Sequence, residues 1–231
     1  MNIFSTYKSM EDSAKLCPEG QNIKMLIRHS ERHDIKKGAS QEEIQNAQLT
    51  DNGRKMAICL GESINMEIGN ISSSHTQRCI DTCQEIINGY NKNNIEYKQP
   101  ILKTEMLQSP HLNKNEGSDN EIWENLGIRG IFDCFARNEY MPRFYDLKTS
   151  VNRIFNYLFE TGNKNNTVDI YCTHDFQLAM ILLFINGGSE EYNNILFNGN
   201  WPEMLEGMFL WGSRNNFNII WRGETNKIVE K

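Results

Sequence analysis

The sequence predicts a three-layer α/β/α domain with a largely parallel central sheet and a small insertion over the functional site. Predicted strands and amphipathic helices alternate along the chain, and two apolar strands end abruptly in polar residues. A length of 231 residues suits a single domain over 1–231 with one insertion better than two independent domains.

The first half of the chain supplies two predicted strands and two predicted helices. Residues 23–27 are apolar and predict a buried strand, and 71–74 predict a short one. A helix follows Leu49-Thr50-Asp51-Asn52-Gly53, with apolar residues four apart at Met56, Leu60, Ile64 and Ile68. The next helix has a 3.6-residue pattern of apolar residues, formed by Cys79, Ile80, Cys83, Ile86, Ile87 and Tyr90.

The second half begins with a predicted strand over 95–102. An irregular stretch at 106–142, with Gly, Pro and short helical pieces, is interpreted as the insertion or lid. A long amphipathic helix carries Phe144, Leu147, Val151, Ile154, Phe155 and Leu158. Residues 168–172 predict a second buried strand, 176–185 a buried apolar helix, and 207–211 and 217–221 two closing strands.

Composition narrows the class of protein. A net charge of -6 argues against a general nucleic-acid binder, which would present a basic face. The six cysteines contain no CxxC pair and suit buried free thiols in a reducing compartment better than a disulfide framework. Without a signal-like run in the first twenty residues or a stretch that could span a bilayer, we expect a cytoplasmic protein with no membrane partner. The oligomeric state stays open.

Positively charged side chains follow three predicted strands. The first strand is followed by Arg28, His29 and Arg32, the second by Arg78 and the third by His174. The carboxyl ends of parallel strands meet at one crevice, so these five side chains are expected to converge there. Arg78 also lies in the first turn of its helix, where backbone N–H groups favour an anion. Three arginines and two histidines suit a tetrahedral dianion such as phosphate.

Four motifs in order carry a resemblance to the histidine phosphatase superfamily. Arg28-His29-Ser30-Glu31-Arg32 is similar to its RHGxR signature, with Ser30 in place of glycine, and the segment 49–57 matches LTxxGxxxA. Ser73-Ser74-His75-Thr76-Gln77-Arg78 resembles its Ser-Ser-x-x-x-Arg element. His174-Asp175 resembles the HD motif of the acid phosphatase branch, and Trp201-Pro202 with 206–210 resembles that branch's closing segment.

The resemblance implies a reaction for these residues. His29 would attack phosphorus and form a phosphohistidine, which divides one difficult displacement into two easier ones. Arg28, Arg32, Arg78 and His174 would hold the non-bridging oxygens and offset charge in the transition state. No cofactor and no metal are required.

A general acid must protonate the leaving oxygen. The sequence favours Asp175, because it follows His174 as in the HD branch. Glu105 is the second candidate, since it lies past a predicted strand and loosely matches the glutamate of the phosphoglycerate mutase branch. Phosphomonoester hydrolysis is preferred over a phosphomutase, since His174 is followed by Asp and not by Gly. A non-catalytic phosphate-binding module is the third alternative.

Other histidines and tryptophans have simpler interpretations. His29 and His33 lie four apart, but Glu31 is one place late for the zinc motif H-E-x-x-H. His33 and His111 are expected to be exposed loop residues, while His75 lines the pocket mouth or caps its helix. Tryptophans are interpreted as packing residues, although Trp123 in the insertion could cover the site.

The insertion is predicted to select the substrate, a small phosphorylated molecule. Four acidic residues in it would disfavour a highly phosphorylated ligand; they are Glu116, Asp119, Glu121 and Glu124.

Overall fold

A computed structural model describes residues 10, 13–36, 38–92, 96–113, 120–162 and 164–229. Seven strands form one sheet in the order β3-β2-β4-β1-β5-β6-β7. The strands are β1 (Ile23–Arg28), β2 (Glu67–Ser73), β3 (Leu102–Lys103), β4 (Thr167–Thr173), β5 (Gly207–Ser213), β6 (Asn216–Trp221) and β7 (Glu224–Val229).

The sheet is mixed, with a parallel half and an antiparallel half. β1, β4, β2 and β3 pair in parallel, whereas β5 pairs antiparallel with β1 and continues into an antiparallel β6 and β7. The prediction of a largely parallel core is therefore confirmed. The parallel half matters for function, because its strand ends supply the polar side chains described below.

Seven α-helices lie wholly within the described residues. They are α1 (Gln41–Gln45), α2 (Asp51–Glu62), α3 (Gln77–Asn91), α4 (Asn120–Arg137), α5 (Leu147–Glu160), α6 (Asp175–Ile185) and α7 (Glu190–Ile195). No helix among the described residues is both long enough and apolar enough to cross a membrane.

Two apolar cores, one on each face of the sheet, produce the predicted three layers. Helices α2 and α3 pack on one face through residues such as Met56, Leu60 and Ile86. Helices α4, α5 and α6 pack on the other face through residues such as Phe132 and Phe155. Alternation along β1 divides it between the cores: Met25 and Ile27 face the first, and Leu26 faces the second.

Several predicted elements differ from the structure. The strand expected over 95–102 is only Leu102–Lys103, because it pairs with β2 at two positions on the sheet edge and its side chains are exposed. The stretch 106–142 contains the eighteen-residue helix α4, which Gly127 interrupts with a φ of 59° and a ψ of -179°. Strand β7 was not predicted, because its side chains are mostly exposed and lack a buried apolar pattern.

Candidate active site

The carboxyl end of β1 delivers His29 into the protein interior. His29 is 2% exposed, and its backbone N–H donates to the carbonyl of Thr173 at 2.9 Å. Its Nδ1 lies 2.8 Å from the carbonyl oxygen of Ser30. A carbonyl only accepts, so Nδ1 carries the proton and Nε2 carries the lone pair. The backbone thus sets the tautomer that a nucleophilic Nε2 requires.

Burial keeps this imidazole neutral. Burial is the largest effect and lowers the pKa of His29 to about 3; Cys79 opposes it, and His174 and Arg78 add smaller lowering effects. A protonated ring has no lone pair to offer. His29 is therefore in its nucleophilic form at neutral pH.

The second histidine faces the first across the crevice. The rings of His29 and His174 have centroids 5.5 Å apart. Arg78 Nη2 lies 3.3 Å from His174 Nδ1, and Ser74 Oγ lies 3.0 Å from His174 Nε2. Because arginine only donates, Nδ1 accepts and Nε2 carries the proton that it gives to Ser74. The start of α3 and the residue that follows β2 therefore hold His174 in one tautomer.

Arg28 and Arg78 are partly committed to protein partners. Arg78 Nη1 donates to the carbonyl of Ile44 at 2.7 Å, and Arg28 Nη1 donates to that of Pro202 at 2.7 Å. The Nε–H groups of both arginines are buried and have no hydrogen-bond partner within the described residues. Buried N–H groups without an acceptor are costly, so an incoming anion would stabilise them.

The arginines lie close enough to affect one another's charge. Burial first, and then the charge of Arg28, lower the pKa of Arg32; burial first, and then the charge of Arg32, lower the pKa of Arg78, against an opposing effect of Cys79. Arg32 itself donates from Nη1 to the carbonyl of His33 at 2.8 Å. The three predicted arginines therefore lie within electrostatic range of one another, beside the paired rings of His29 and His174.

Asp175 is the one carboxylate of the predicted set. Its Oδ2 lies 3.0 Å from Arg28 Nη2 and accepts from Trp201 Nε1 at 3.1 Å. Burial raises the pKa of Asp175, but Arg28 and then the Trp201 hydrogen bond outweigh burial and lower the pKa overall. The resting structure therefore holds Asp175 as a carboxylate.

Ser30, which stands where the superfamily has glycine, fits without crowding. Its side chain is fully buried, and its hydroxyl donates to the carbonyl of Gly53 at 2.7 Å. Its backbone N–H donates to Thr82 Oγ1 at 2.9 Å. These two bonds fix the residue whose carbonyl holds His29 Nδ1. The need for glycine falls instead on Gly53, where a Cβ would lie 2.0 Å from the carbonyl oxygen of Glu31.

The motif 49–57 supports the loop after β1, which carries His29. Among the contacts described, it contributes no side chain to the crevice. Thr50 caps α2 through Gly53 N–H and donates to Glu31 Oε1 at 2.5 Å. Asn52 donates to the other oxygen of Glu31 at 3.0 Å. The loop after β1 is therefore bound to the start of α2 by its own carboxylate.

Glu105, the second acid candidate, begins a short 3₁₀ turn at the carboxyl end of β3. Ser73, the last residue of β2, pairs with Lys103, so Glu105 lies at the same edge of the sheet as the histidines. His75 Nδ1 is 3.6 Å from its Oε1, and both side chains are partly exposed. His75 thus contacts a candidate acid at the rim of the crevice.

Two expectations about other residues need correction. His111 is not exposed: it is 4% exposed and stacks among Phe144, Phe176 and Trp123, with burial lowering its pKa to about 3. Trp201 does more than pack, because it binds the Asp175 carboxylate. A buried indole needs a partner for its N–H, but the sequence does not reveal which acceptor it meets.

The described residues contain no preformed metal site and no disulfide. All six cysteines are free, and no group of three or more metal-ligating side chains forms there. Three of the thiols are fully buried behind the histidines, at Cys79, Cys83 and Cys172.

Comparisons with known proteins agree with the geometry. The sequence is 27% identical over 172 residues to a 2,3-bisphosphoglycerate-dependent phosphoglycerate mutase of Thermoplasma acidophilum, covering 73% of this chain and 79% of the relative. The fold is similar to that of YhfR from Bacillus stearothermophilus, with a TM-score of 0.53, 17% identity and coverage of 89% and 98% of the two chains. It is also similar to a phosphoglycerate mutase from Bacillus anthracis, with a TM-score of 0.51, 14% identity and coverage of 96% and 94%.

A family model matches most of the chain. It is that of the histidine phosphatase superfamily, branch 1, and it matches residues 25–193, which contain all the predicted site residues. The strand-end histidines, the arginines around them and this match together assign the family. The chain belongs to branch 1 of the histidine phosphatase superfamily.

Proposed function

We propose that this protein is a phosphomonoesterase that acts on a small phosphorylated metabolite through a phosphohistidine on His29. The observation that carries the proposal is the neutral, buried His29, whose Nε2 lone pair lies among His174 and the arginines. A phosphate-binding module without catalysis requires no such nucleophile. Members of the superfamily are phosphatases or mutases, and a phosphohistidine would serve either reaction.

The reaction would proceed in two displacements. Nε2 of His29 forms a bond to phosphorus while the ester P–O bond breaks, and an acid gives its proton to the leaving oxygen. Arg28, Arg32, Arg78 and His174 would bind the non-bridging oxygens. Water then attacks phosphorus and loses a proton to the same carboxylate, the Nε2–P bond breaks, and inorganic phosphate leaves.

The environments of the two acid candidates reverse the preference that the sequence favours. An acid must carry a proton when the ester bond breaks, whereas the ion pair with Arg28 and the Trp201 hydrogen bond hold Asp175 as a carboxylate. Glu105 is partly exposed at the rim, at the end of β3, and the matching family model is that of branch 1. We therefore place Glu105 first and Asp175 second.

Leaving-group dependence tests the assignment. Glu105→Gln should slow esters of poorly acidic alcohols by about 10²–10⁴-fold, because an acid contributes most where the departing oxygen is most basic. The loss on p-nitrophenyl phosphate should be much smaller, since nitrophenolate departs without a proton. Asp175→Asn serves as the matched carboxylate-to-amide variant. If the leaving-group dependence appears in Asp175→Asn and not in Glu105→Gln, the acid is Asp175.

A phosphomutase is the second candidate, because the curated relative in the comparison is a mutase. Hydrolysis and mutation share the phosphohistidine and differ in whether water or a bound hydroxyl accepts the phosphoryl group. Incubation with 3-phosphoglycerate, with and without 2,3-bisphosphoglycerate, separates them. Release of inorganic phosphate supports hydrolysis, whereas formation of an isomeric monoester that requires the bisphosphate supports the mutase.

The insertion over 106–142 is proposed to roof the site and to limit its ligand. Trp123 and Phe132 of α4 each lie 5.2 Å, ring to ring, from Phe176, the residue after Asp175. Glu121 and Glu124 on the same helix are exposed, which disfavours a highly phosphorylated ligand. The other two acidic residues of the prediction, Glu116 and Asp119, lie outside the described residues. A screen of phosphorylated metabolites at two pH values would identify the substrate.

Trapping the intermediate tests the proposal directly. Rapid acid-free quenching during turnover of a ³²P-labelled ester should leave label on the wild-type chain and none on His29→Ala. Phosphate binding without any labelled protein or released phosphate would identify a binding module.

A further inference from the structure

The guanidinium of Arg28 is occupied on the edge that phosphate would use. In side-on bidentate binding of phosphate, arginine donates from Nε–H and from one N–H of Nη2, which point in the same direction. Nη2 is bound to Asp175 Oδ2 at 3.0 Å, and Nη1 is bound to the Pro202 carbonyl at 2.7 Å. Nε is buried and without a hydrogen-bond partner in the described part of the chain. Half of the phosphate-binding edge is therefore taken by a carboxylate of the protein itself.

The contact is held from several sides. Asp175 is the first residue of α6, its Oδ1 accepts from the backbone N–H of Phe176 at 3.0 Å, and its Oδ2 accepts from Trp201 Nε1 at 3.1 Å. Both charged side chains are largely buried, with 13% of Arg28 and 28% of Asp175 exposed. Partial burial strengthens the pair relative to one in water.

A second ion pair anchors the segment that carries Trp201. Arg222 donates to both carboxylate oxygens of Glu206, from Nε at 2.7 Å and from Nη2 at 2.9 Å. Its Nη2 also lies 3.4 Å from the carbonyl oxygen of Trp201. Because the Glu206 carbonyl also accepts from the N–H of Arg28 at 2.8 Å, this segment is fixed against β1. Asp175 and Arg28 thus meet in a preformed arrangement.

We propose that the Asp175 carboxylate occupies the phosphate-binding edge of Arg28 when no ligand is bound. A phosphoryl group displaces the carboxylate from that edge. After hydrolysis the carboxylate returns to Arg28 and promotes release of inorganic phosphate. The inference rests on the proposed function only in placing a phosphoryl group at Arg28. Competition for one guanidinium edge lowers the affinity for free phosphate. Substrate overcomes that loss through contacts made by the rest of the molecule, whereas the product has no such contacts. The role is independent of acid catalysis, which is assigned to Glu105.

The affinity for inorganic phosphate, measured by titration calorimetry, tests the inference without turnover. Asp175→Asn frees Arg28, and we expect phosphate to bind about tenfold more tightly, the scale of one charge-assisted hydrogen bond. Asp81→Asn is the matched control, because Asp81 pairs with Arg54 at 3.3 Å and accepts from Gln77, neither of which is a predicted site residue. It removes the same charge and should leave the affinity within about twofold.

A double-mutant cycle separates competition at Arg28 from general repulsion of anions. In an Arg28→Ala background, Asp175→Asn should give no gain in phosphate affinity. A gain that persists there overturns the proposal, as does unchanged or weaker binding in Asp175→Asn alone, or the absence of phosphate binding in every variant. Should Asp175→Asn fail to fold, Asp175→Ser keeps an oxygen for the N–H of Phe176 and serves instead. A protein that shows the predicted affinities but hydrolyses no ester contradicts the proposed function and leaves this inference standing.

Discussion

Strands β1 and β4 bury charged groups at both ends, and the two ends treat that charge differently. At the amino end, Lys24 lies opposite Asp169 in the strand register, with Nζ 3.7 Å from the carboxylate. Nζ donates to Asn22 Oδ1 at 2.7 Å and to the carbonyls of Thr161 and Gly162 at 3.2 and 2.7 Å. The three N–H groups of the ammonium therefore all have acceptors.

At the carboxyl end, some buried N–H donors have no acceptor among the described residues. Three arginines face one carboxylate there, and Nε of both Arg28 and Arg78 is buried without a partner among the described residues. A saturated buried pair stabilises one conformation, whereas an unsaturated one gains stability when a ligand supplies the missing acceptors. The same two strands thus carry a structural cluster at one end and the candidate binding site at the other.

Removing His29, the proposed nucleophile, should have the largest expected effect, a loss of turnover. That effect should be limited to the carboxyl end of the strands. His29→Ala should lower turnover by about four orders of magnitude or more, because no other group can accept the phosphoryl group. Phosphate binding should persist, since the arginines remain. Steady-state kinetics and calorimetry on one preparation would measure both.

A residual activity of more than a few per cent in purified His29→Ala would contradict the covalent mechanism. An unchanged thermal unfolding midpoint at neutral pH would show that loss of activity does not come from loss of fold.

Breaking the saturated end should damage stability and leave phosphate affinity unchanged. Lys24→Met leaves the fully buried Asp169 carboxylate without its cation, so unfolding free energy should fall by about 3–5 kcal/mol. Urea denaturation would measure the loss.

Lys164→Met is the control at the same end of the sheet, because Lys164 pairs with Glu67 on the surface. That substitution should cost less than about 1 kcal/mol. Equal losses in the two variants would mean that burial does not distinguish the pairs.

Weakening the unsaturated end should reverse this pattern. Arg78→Ala should reduce phosphate affinity by about 1.5–3 kcal/mol, because a charge-assisted contact to the anion is lost. Arg54→Ala is the matched control, since Arg54 instead binds Asp81 and Glu85. Calorimetric titrations that give the two variants equal affinities would remove Arg78 from the site.

Lowering the pH should change the free energy of unfolding by a smaller amount, through His29 at the carboxyl end. The pKa of His29 is about 3 in the folded protein and near 6.5 when unfolded, so its neutral burial stabilises the fold fully above pH 6.5. That contribution is lost as pH falls from 6.5 towards 3, because only the unfolded chain takes up the proton. Between pH 7 and pH 5 the wild type should therefore lose about 2 kcal/mol that His29→Ala keeps. Parallel losses in urea denaturation at the two pH values would contradict the neutral, buried state of His29.

Local pattern was sufficient to predict most of the parallel half. Apolar runs that stop at Arg28-His29 and at His174-Asp175 indicated buried strands with polar ends, and both are present as β1 and β4. The convergence of Arg78 with them follows from the rule that carboxyl ends of parallel strands share one edge. Where pattern was weak, prediction failed: β3 is short and exposed, and Gly127 interrupts the apolar pattern of α4.

The sequence by itself determined the fold class and which polar residues follow the strand ends, because periodicity and strand ends are local properties. Only the tertiary structure decided how those residues are paired. It pairs Arg28 with Asp175, and it brings the Trp201 N–H to the Asp175 carboxylate. It also directs Arg78 to the carbonyl of Ile44 and sets the tautomer of both histidines. Most of these partners are far apart in sequence; His174 and Ser74, for example, are 100 positions apart. Which acceptor a donor meets across such a separation depends on the packing of whole helices and strands, and no local pattern encodes it.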